Sequence, residues 1–341
     1  MRERLLELVA CPLCSGRLAL EGAERTGDDI RSGTLRCVAG CSAYPVRDGI
    51  PRLVPGALAE DKARTASAFG WEWQEFHRLH DDARTREQFL DWIAPIEPRF
   101  FEGKVVLDAG CGMGRFARMS ALFGAKDVLA MDLSDAVLAA ARNVADLPNV
   151  HVVQADLYRL PLPRRPGAAV VDLAYSIGVL HHLPDPEGGF RQLVDKLRPG
   201  GTISAWVYGR ENNGWIVHAV NPIREAFSSR LPRRVLYALS FLLTLGLEVP
   251  LLALYRPTHR IAPLGPVNRL LPYRAYLNWL SGFGFRHNHH VVFDHLVAPT
   301  AFYLRREEFA SWFERLGLTD VRLSARNENS WRGFGRVPDA R

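Results

Sequence analysis

Short apolar runs alternate with longer mixed segments through the middle of the chain. The apolar runs are Val105–Asp108, Asp127–Asp132, Val150–Val153, Val170–Ser176 and Thr202–Tyr208, and segments of helical length separate several of them. Strands that alternate with helices are typical of a parallel sheet covered by helices on both faces. The pattern therefore predicts an α/β fold with a doubly wound parallel sheet at its centre.

A long insertion interrupts this alternation in the later part of the chain. About ninety residues separate the fifth strand from Glu307–Leu316, which has the apolar spacing of a helix, and Val321–Ala325 predicts the next strand. Within the insertion, Val235–Leu254 is nearly all apolar, with Glu248 as its only charged residue. Pro250 predicts a break into two shorter helices. The sequence leaves open whether these helices form a buried hairpin, an apolar lid or a membrane-interface segment.

A glycine-rich turn after the first apolar run carries the clearest chemical signal. Residues 105–114 read Val-Val-Leu-Asp-Ala-Gly-Cys-Gly-Met-Gly, and the alternate glycines let the backbone approach a ligand where a Cβ would clash. A dinucleotide-binding G-x-G-x-x-G motif would need glycine where Arg115 stands. The turn, with Asp108 closing the strand, resembles motif I of class I S-adenosylmethionine (SAM) methyltransferases. Binding of another nucleotide is the alternative.

Later segments carry the same resemblance in the family's order. Asp132 ends the second strand, where a carboxylate can accept both ribose hydroxyls, although it can also cap the helix that follows. Asp156 follows the third strand, Ile177–Asp185 follows the fourth, and Leu197–Thr202 precedes the fifth. The resemblance implies SAM as the cofactor and this set of binding residues: Asp108, Ala109, Gly110, Cys111, Gly112, Gly114, Asp132, Leu133, Asp156, Leu157 and Ser176.

Two close pairs of cysteines stand near the start of the chain. Cys11 and Cys14 are spaced C-x2-C, and Cys37 and Cys41 are spaced C-x3-C. Such pairs are typical of a structural zinc site, and a metal would stabilise a segment too small for its own core. A ribbon that has lost its metal is the alternative. With Tyr-Pro-Val-Arg-Asp-Gly-Ile-Pro at 44–51, the pairs resemble the small zinc-ribbon activators of tRNA and release-factor methyltransferases, whose second pair is more commonly C-x2-C.

These features together predict a Rossmann-like, seven-stranded SAM methyltransferase core with an N-terminal zinc-ribbon-like module and a mainly helical insertion after strand five. The predicted divisions are a ribbon at 1–55, a linker at 56–66, the SAM-binding core at 67–209, the insertion at 210–302 and a C-terminal completion of the core at 303–341. The insertion leaves the sheet at its ligand-binding edge, which predicts that it caps the acceptor pocket.

Composition is ordinary for a globular protein, with 48% hydrophobic and 23% charged residues, and it allows a large core. The net charge is +6, and residues 210–341 contain 18 Arg against 10 acidic residues. This basic excess would suit an anionic substrate, a membrane surface or RNA, or it reflects a GC-rich genome. No signal peptide precedes the thiols, which predicts a cytoplasmic protein, with membrane contact through 231–260 as a further expectation.

Aromatic residues precede the first core strand. Phe69, Trp71, Trp73 and Phe76 fall within eight residues. In related methyltransferases this segment covers the cofactor, so the resemblance implies a helix or clasp over the SAM pocket. Docking of the ribbon onto the core is the alternative. The fifth cysteine, Cys111, is expected to be a packing residue rather than a nucleophile.

Methyl transfer needs alignment, a dry pocket and an acceptor with a lone pair. His181 and His182, just past the fourth strand, are the first candidates for a general base, and Asp294 and His295 are the second. A metal site among the histidines near residue 290 is disfavoured, because they lack H-x3-H spacing on a predicted helix.

Three functions remain open at this level. The favoured one is methylation of a small, apolar or lipid-like metabolite, supported by the insertion and by the resemblance of Ile177–Asp185 to small-molecule methyltransferases. The second is an rRNA or tRNA base methyltransferase with a zinc module, supported by the arginine excess. The third is a non-catalytic SAM-binding scaffold. The sequence indicates no oligomeric state.

Overall fold

The centre of the molecule is a mixed sheet, and the computed structural model describes residues 1–78, 82–163 and 171–339. In chain order the described strands are β1 (Leu18–Thr26), β2 (Asp29–Cys37), β3 (Ala43–Arg47), β4 (Ile50–Leu53), β5 (Val105–Ala109), β6 (Asp127–Asp132), β7 (Val150–Ala155), β8 (Val171–Ile177), β9 (Leu197–Tyr208), β10 (Thr319–Arg326) and β11 (Ser330–Arg336). Their order in the sheet is β1-β2-β3-β4-β7-β6-β5-β8-β9-β11-β10. Val170, where the sequence places the start of the fourth core strand, lies outside the described residues.

The seven strands from β7 to β10 form the predicted methyltransferase-like core. Strands β7, β6, β5, β8 and β9 are parallel, whereas β11 runs antiparallel to both β9 and β10. The predicted α/β core with seven strands is therefore confirmed. Because the five parallel strands end at the same edge, the residues that follow them lie close together.

Helices cover both faces of this core. The described helices are α1 (Arg4–Leu8), α2 (Glu60–Glu75), α3 (Asp82–Ile93), α4 (Arg115–Leu122), α5 (Ala136–Asn143), α6 (Pro186–Val194), α7 (Asn221–Ala226), α8 (Arg233–Pro250), α9 (Arg256–Arg260), α10 (Gly265–Leu270), α11 (Arg274–Ser281), α12 (Phe285–Val297) and α13 (Arg306–Arg315). Side chains of α3, α4 and α5 pack on one face, and those of α6 and α13 pack on the other. The predicted helix at 307–316 is confirmed as α13.

The N-terminal module joins the core through its last strand. β4 pairs in parallel with β7, with Arg52 opposite Gln154 and Leu53 opposite Ala155. The Arg52 guanidinium donates to Gln154 Oε1 at 3.0 Å. The ribbon and the core thus share one continuous sheet, and the strand that ends next to Asp156 has a ribbon strand as its edge partner.

The predicted linker at 56–66 is only partly a linker. Helix α2 begins at Glu60, so the second half of that segment is helical. Glu60 and Asp61 lie in its first turn, where acidic side chains interact favourably with the helix dipole, and the alanines that follow favour helix.

The apolar stretch of the insertion is one helix rather than the two that Pro250 predicts. A π-helical turn at residues 251–255 connects α8 to α9, giving a continuous helix Arg233–Arg260 of 28 residues. Proline removes one backbone donor, and the wider turn after it carries the helix onward. Among the described residues this is the one helix long and apolar enough to cross a membrane, and 22% of its most apolar window is buried.

Candidate functional site

The glycine turn after β5 borders a cavity at the ligand-binding edge, and Gly110 lines that cavity. Gly110, Gly112 and Gly114 have φ of +84°, +51° and +80°, a region that side chains with a Cβ rarely adopt. A Cβ on Gly112 would lie 2.9 Å from Cε2 of Trp73. The turn therefore depends on glycine both for its backbone conformation and for the close approach of the helix above it.

Asp132, at the end of β6, connects this turn to the next one. Its Oδ2 accepts from the Gly112 amide at 2.9 Å, and its Oδ1 accepts from the amide and hydroxyl of Ser134 at 2.8 and 2.7 Å. Burial raises the pKa of Asp132, and these hydrogen bonds oppose the increase. The carboxylate lines the cavity and, with two acceptor oxygens, retains capacity for hydroxyl donors of a ligand.

Asp156 occupies the far end of the same cavity. Its Oδ1 accepts from the Tyr158 amide at 3.0 Å, and its Oδ2 accepts from Nζ of Lys62 at 2.7 Å. Lys62 also lies 4.2 Å from the centre of the Tyr158 ring. A lysine of α2 therefore covers the carboxylate of Asp156, one of the residues that the resemblance implies for SAM binding.

The aromatic residues of α2 form the roof of this cavity of about 130 Å³. Phe69 and Trp73 line it together with Gly110, Asp132 and Asp156. The aromatic segment therefore covers the cavity that contains the predicted cofactor residues, as expected for a clasp over the SAM pocket. Trp71 packs against Tyr237 and Phe293 of the insertion, at ring-centre distances of 6.1 and 5.3 Å, and so does not dock the ribbon.

A second cavity of about 130 Å³ adjoins the first. Asp294 of α12 lines both cavities, as do Trp73, Ile177 and Gly178. The Tyr208 hydroxyl donates to Asp294 Oδ2 at 3.0 Å. We call the second cavity the head pocket. Because it shares a wall with the first cavity, the head pocket lies where a methyl acceptor would lie beside a bound cofactor.

An apolar groove of about 810 Å³ opens from the head pocket. The two share Ile216, Tyr273, Tyr276, Val291 and His295, all from the insertion. Leucine and valine side chains line about half of the remaining groove, among them those at 247, 271, 277, 280 and 292. Three cavities are therefore contiguous. They are the cavity lined by Gly110, Asp132 and Asp156, which we call the cofactor cavity, the head pocket and the groove.

Buried charges lie close to Asp294. Glu72 is fully buried, and burial together with the Asp294 charge raises its pKa well above the usual range. His290 Nε2 lies 2.9 Å from Glu72 Oε1. Burial lowers the pKa of Arg115 to about 10, which leaves it charged near neutral pH.

The four N-terminal cysteines converge at the other end of the molecule. The Sγ atoms of Cys11, Cys14, Cys37 and Cys41 all lie within 4.8 Å of one another, with close contacts of 3.2–3.4 Å. These contacts are too long for disulfides and near the ~3.8 Å sulfur separation of a tetrahedral zinc thiolate site. The donor set fits a structural zinc ion and leaves no open position for catalysis.

Residues 107–205 match the family model described as a methyltransferase domain. This segment contains the glycine turn, Asp132 and Asp156. The core of this chain is a SAM-dependent methyltransferase domain. Residues 2–49 match the family model described as Trm112p-like protein, and this segment contains all four converging cysteines. A methyltransferase domain and a Trm112p-like, zinc-ribbon segment are therefore present on the same chain.

This chain is similar to curated proteins whose names indicate different substrates. It is 32% identical over 164 residues to the ubiquinone biosynthesis O-methyltransferase of Cupriavidus pinatubonensis, which covers 47% of this chain and 60% of that protein. It is 36% identical over 115 residues to the tRNA U34 carboxymethyltransferase of Ruthia magnifica, covering 33% of this chain and 34% of that protein. The chain spans about half the length, or less, of the first relatives that it matches.

One similar solved structure is a complex between the Haloferax volcanii Trm112 methyltransferase activator and a methyltransferase. It is 16% identical, covers 83% of this chain and 100% of that chain, and has a TM-score of 0.43.

The structure separates the predicted cofactor residues of the methyltransferase into two groups. Those that line the cavity are Gly110, Asp132, Leu133, Asp156 and Leu157. Those that do not line it are Asp108, Ala109, Cys111, Gly112, Gly114 and Ser176. Within this second group, the two glycines and Cys111 belong to the turn itself, and the other three residues lie in β5 and β8. Ser176 Oγ donates to the Ala109 carbonyl at 2.9 Å, and burial raises the pKa of Asp108 to about 7.

The predicted catalytic histidines also separate. His181 is fully buried, stacks on Tyr208 at 3.8 Å between ring centres and lines none of the three cavities, so it lacks access to an acceptor. His182 lines the cofactor cavity, and its Nδ1 donates to the Thr300 carbonyl at 2.6 Å. The second-choice residues Asp294 and His295 both line the head pocket.

Proposed function

We propose that this protein transfers the methyl group of SAM to the polar head of an amphipathic, lipid-like metabolite. The main support for this proposal is that the three cavities are continuous. Asp294 joins the cofactor cavity to the head pocket, and the head pocket opens into the apolar groove. A polar head beside SAM with an apolar tail in the groove would fill this path. Burial of the tail would stabilise the complex in proportion to the apolar area removed from water.

The residues lining the path supply the functions that methyl transfer needs. Gly110, Asp132 and Asp156 would hold SAM, which supplies the methyl group as a sulfonium. Attack by the acceptor lone pair breaks the sulfur–methyl bond, forms the new bond and leaves S-adenosylhomocysteine. Asp294, which lines both cavities, would take the proton that an acceptor hydroxyl loses. The roof formed by Phe69 and Trp73 excludes water from this step.

The acceptor class is testable by following the label from methyl-labelled SAM. Wild-type protein is incubated in parallel with a bacterial lipid extract and with bacterial total RNA. We expect organic-soluble product from the lipid extract. Label confined to RNA would contradict the proposal and support the base-methyltransferase alternative, which the tRNA U34 relative and the arginine excess favour. Calorimetric SAM binding without transfer of label to either extract would instead indicate a non-catalytic SAM-binding scaffold.

Replacing Asp294 with asparagine tests the proposed proton acceptor. General-base catalysis contributes about 10²–10⁴-fold to a rate, so turnover of the lipid acceptor is expected to fall by that order. The amide preserves shape and can still accept from the Tyr208 hydroxyl. The dissociation constant of SAM should stay within a few-fold of wild type. The matched variant His295→Asn removes the other candidate base of the head pocket, and a larger loss there than in Asp294→Asn would reassign the role.

We also propose that the protein collects this acceptor at a membrane surface, using one face of the 233–260 helix. Leu242, Leu245, Val249 and Leu252 follow a 3-4-3 spacing and are 46–66% exposed. The opposite face packs on the body of the protein, where Leu236, Ser240 and Thr244 are buried. At the edge of that face, Glu248 accepts from Asn288 at 2.6 Å. A helix held on one side by polar contacts suits an orientation in the plane of the interface rather than a span.

The charges around this face suit an anionic membrane. Arg230 and Arg234 lie at one end of the helix, and Arg260 and Arg269 lie towards the other; all four are exposed. Within the described ranges, no carboxylate lies within 4.0 Å of their guanidinium nitrogens. Arginine near an anionic surface contributes about 1 kcal/mol per residue.

Vesicle co-sedimentation tests this surface. The triple variant Leu242→Gln, Leu245→Gln, Val249→Gln should bind phosphatidylglycerol vesicles at least about tenfold more weakly, because each buried leucine or valine contributes about 1.5–3 kcal/mol. Leu122→Gln with Val38→Gln serves as the control, since both residues are exposed but lie away from the helix. Equal binding by the triple variant and wild type would exclude this face.

A further inference from the structure

One wall of the head pocket carries buried hydrogen-bond donors that have no partner among the described residues. They are Gln88 Nε2, Trp92 Nε1, Trp206 Nε1 and Arg326 Nη2. Gln88, Trp92 and Arg326 are each at least nine-tenths buried. A buried donor without a partner costs about 1–3 kcal/mol, so four on one wall indicate a ligand that accepts from them. We call these four groups the donor wall.

The orientation of Gln88 is set by its neighbour. Arg115 Nη1 donates to Gln88 Oε1 at 3.1 Å. Because a guanidinium has only donors, the amide oxygen must face Arg115, and this places the amide N–H groups away from it. Arg115 therefore makes Gln88 a donor for whatever occupies the pocket.

The two tryptophans are held as rigid donors. Their rings are stacked with centres 5.0 Å apart and planes within 8° of parallel. The Arg326 guanidinium lies 5.2 Å from the Trp92 ring centre, and its Nε contacts Asp91 Oδ2. Arg326 thus uses Nε for the ion pair, and its Nη2 remains without a partner. Little side-chain freedom remains to be lost when a ligand binds.

The charges of the pocket are divided between its two sides. Asp294 stands on the side shared with the cofactor cavity, and the donor wall carries Arg326 together with Arg115 behind Gln88. An acceptor that fits both sides has a hydroxyl or amine directed at Asp294 and an anionic oxygen group directed at the donor wall.

We propose that the donor wall binds a carboxylate on the head of the methyl acceptor. Two carboxylate oxygens provide about four lone-pair positions, which matches four donors from Gln88, Trp92, Trp206 and Arg326. The substrate class is then an amphipathic acid: an apolar tail in the groove and a carboxylate on the head, with the methylated atom towards SAM. This inference rests on the proposed function, because it assigns chemistry to the same acceptor site.

Equilibrium binding tests the inference without turnover. Decanoate, decanol and decylamine are titrated into the SAM-loaded protein, below their micelle concentrations, with calorimetry as the readout. Charge-assisted hydrogen bonds predict that decanoate binds about 10–100-fold more tightly than decanol, and that decylamine binds most weakly. Equal affinity for decanoate and decanol overturns the donor wall while leaving the groove intact. Failure of all three to bind overturns the proposed function itself.

Substitutions in the donor wall test whether its four groups cause the tighter binding of decanoate. Trp92→Phe with Trp206→Phe removes two N–H donors but keeps two aromatic rings, and should weaken decanoate about tenfold or more without changing decanol. Trp71→Phe, outside all three cavities, is the matched control. Gln88→Glu keeps an oxygen for Arg115 and replaces the outward donor with an acceptor, so it should weaken decanoate and strengthen decylamine. Decanoate affinity that is unchanged in both variants contradicts the inference even if wild type prefers the acid.

Discussion

Replacing Asp132 with alanine is expected to weaken SAM binding about a hundredfold or more, because two hydrogen bonds from the ribose hydroxyls to a charged acceptor contribute about 1.5–3 kcal/mol each. The carboxylate also accepts from the Gly112 amide and from Ser134 at 2.7–2.9 Å. Its loss therefore removes a ligand contact and loosens the glycine turn. Isothermal titration with SAM measures the effect.

Two further variants separate these contributions. Asp132→Asn keeps one acceptor oxygen and should give an intermediate affinity. Asp135→Ala removes an exposed carboxylate three residues later, which is 3.4 Å from Arg52, and should leave SAM binding unchanged. Thermal unfolding of each variant reports the stability of the turn. Wild-type affinity in a folded Asp132→Ala protein would remove Asp132 from the site.

The core of the cofactor site was predictable because it depends on short-range pattern and on topology. Parallel strands end at one edge, so Gly110, Asp132 and Asp156 had to meet there. Ser176 does not line the cavity, for a simple reason. Side chains alternate along a strand, and Ser176 faces Ala109, whereas its neighbour Ile177 lines the cavity.

The head pocket was not predictable in the same way. Gln88 and Trp92 belong to α3, Trp206 to β9 and Arg326 to β10. No spacing in the sequence connects these elements, and each residue alone is an ordinary amphipathic side chain. Their common function depends on burial and on missing hydrogen-bond partners, which only a three-dimensional arrangement reveals.

The structure of the insertion agrees only in part with the sequence-based expectation. Its apolar composition left a buried hairpin, an apolar lid and a membrane-interface segment open, and the exposed leucines favour the last two. Pro250 was expected to end the helix, but local propensity is a weak guide when packing decides. Glu248 accepts from Asn288 before the predicted break, and Arg256 Nε donates to the Ser281 carbonyl at 2.9 Å after it. These contacts with α12 and α11 hold the long helix in place on both sides of Pro250.

Removing zinc is expected to affect SAM binding as well as the ribbon. Structural zinc contributes about 10–16 kcal/mol in zinc-finger peptides, so the double variant Cys14→Ser, Cys41→Ser should lose the metal and unfold the N-terminal module. Because β4 is the edge partner of β7, the strand before Asp156 then loses its neighbour. We expect SAM affinity to fall several-fold and the melting temperature to drop.

Elemental analysis and SAM titration measure the two effects on the same samples. Wild type should contain about one zinc per chain, and Cys111→Ala, which removes the cysteine outside the cluster, should keep it. A wild-type protein purified reduced and without metal would contradict the zinc site. Normal SAM affinity in a zinc-free double variant would instead show that the shared sheet transmits no stability from the ribbon to the cofactor site. The continuous register from Arg52 and Leu53 into β7 argues for transmission, since a parallel strand that loses its edge partner exposes backbone donors and acceptors directly beside Asp156.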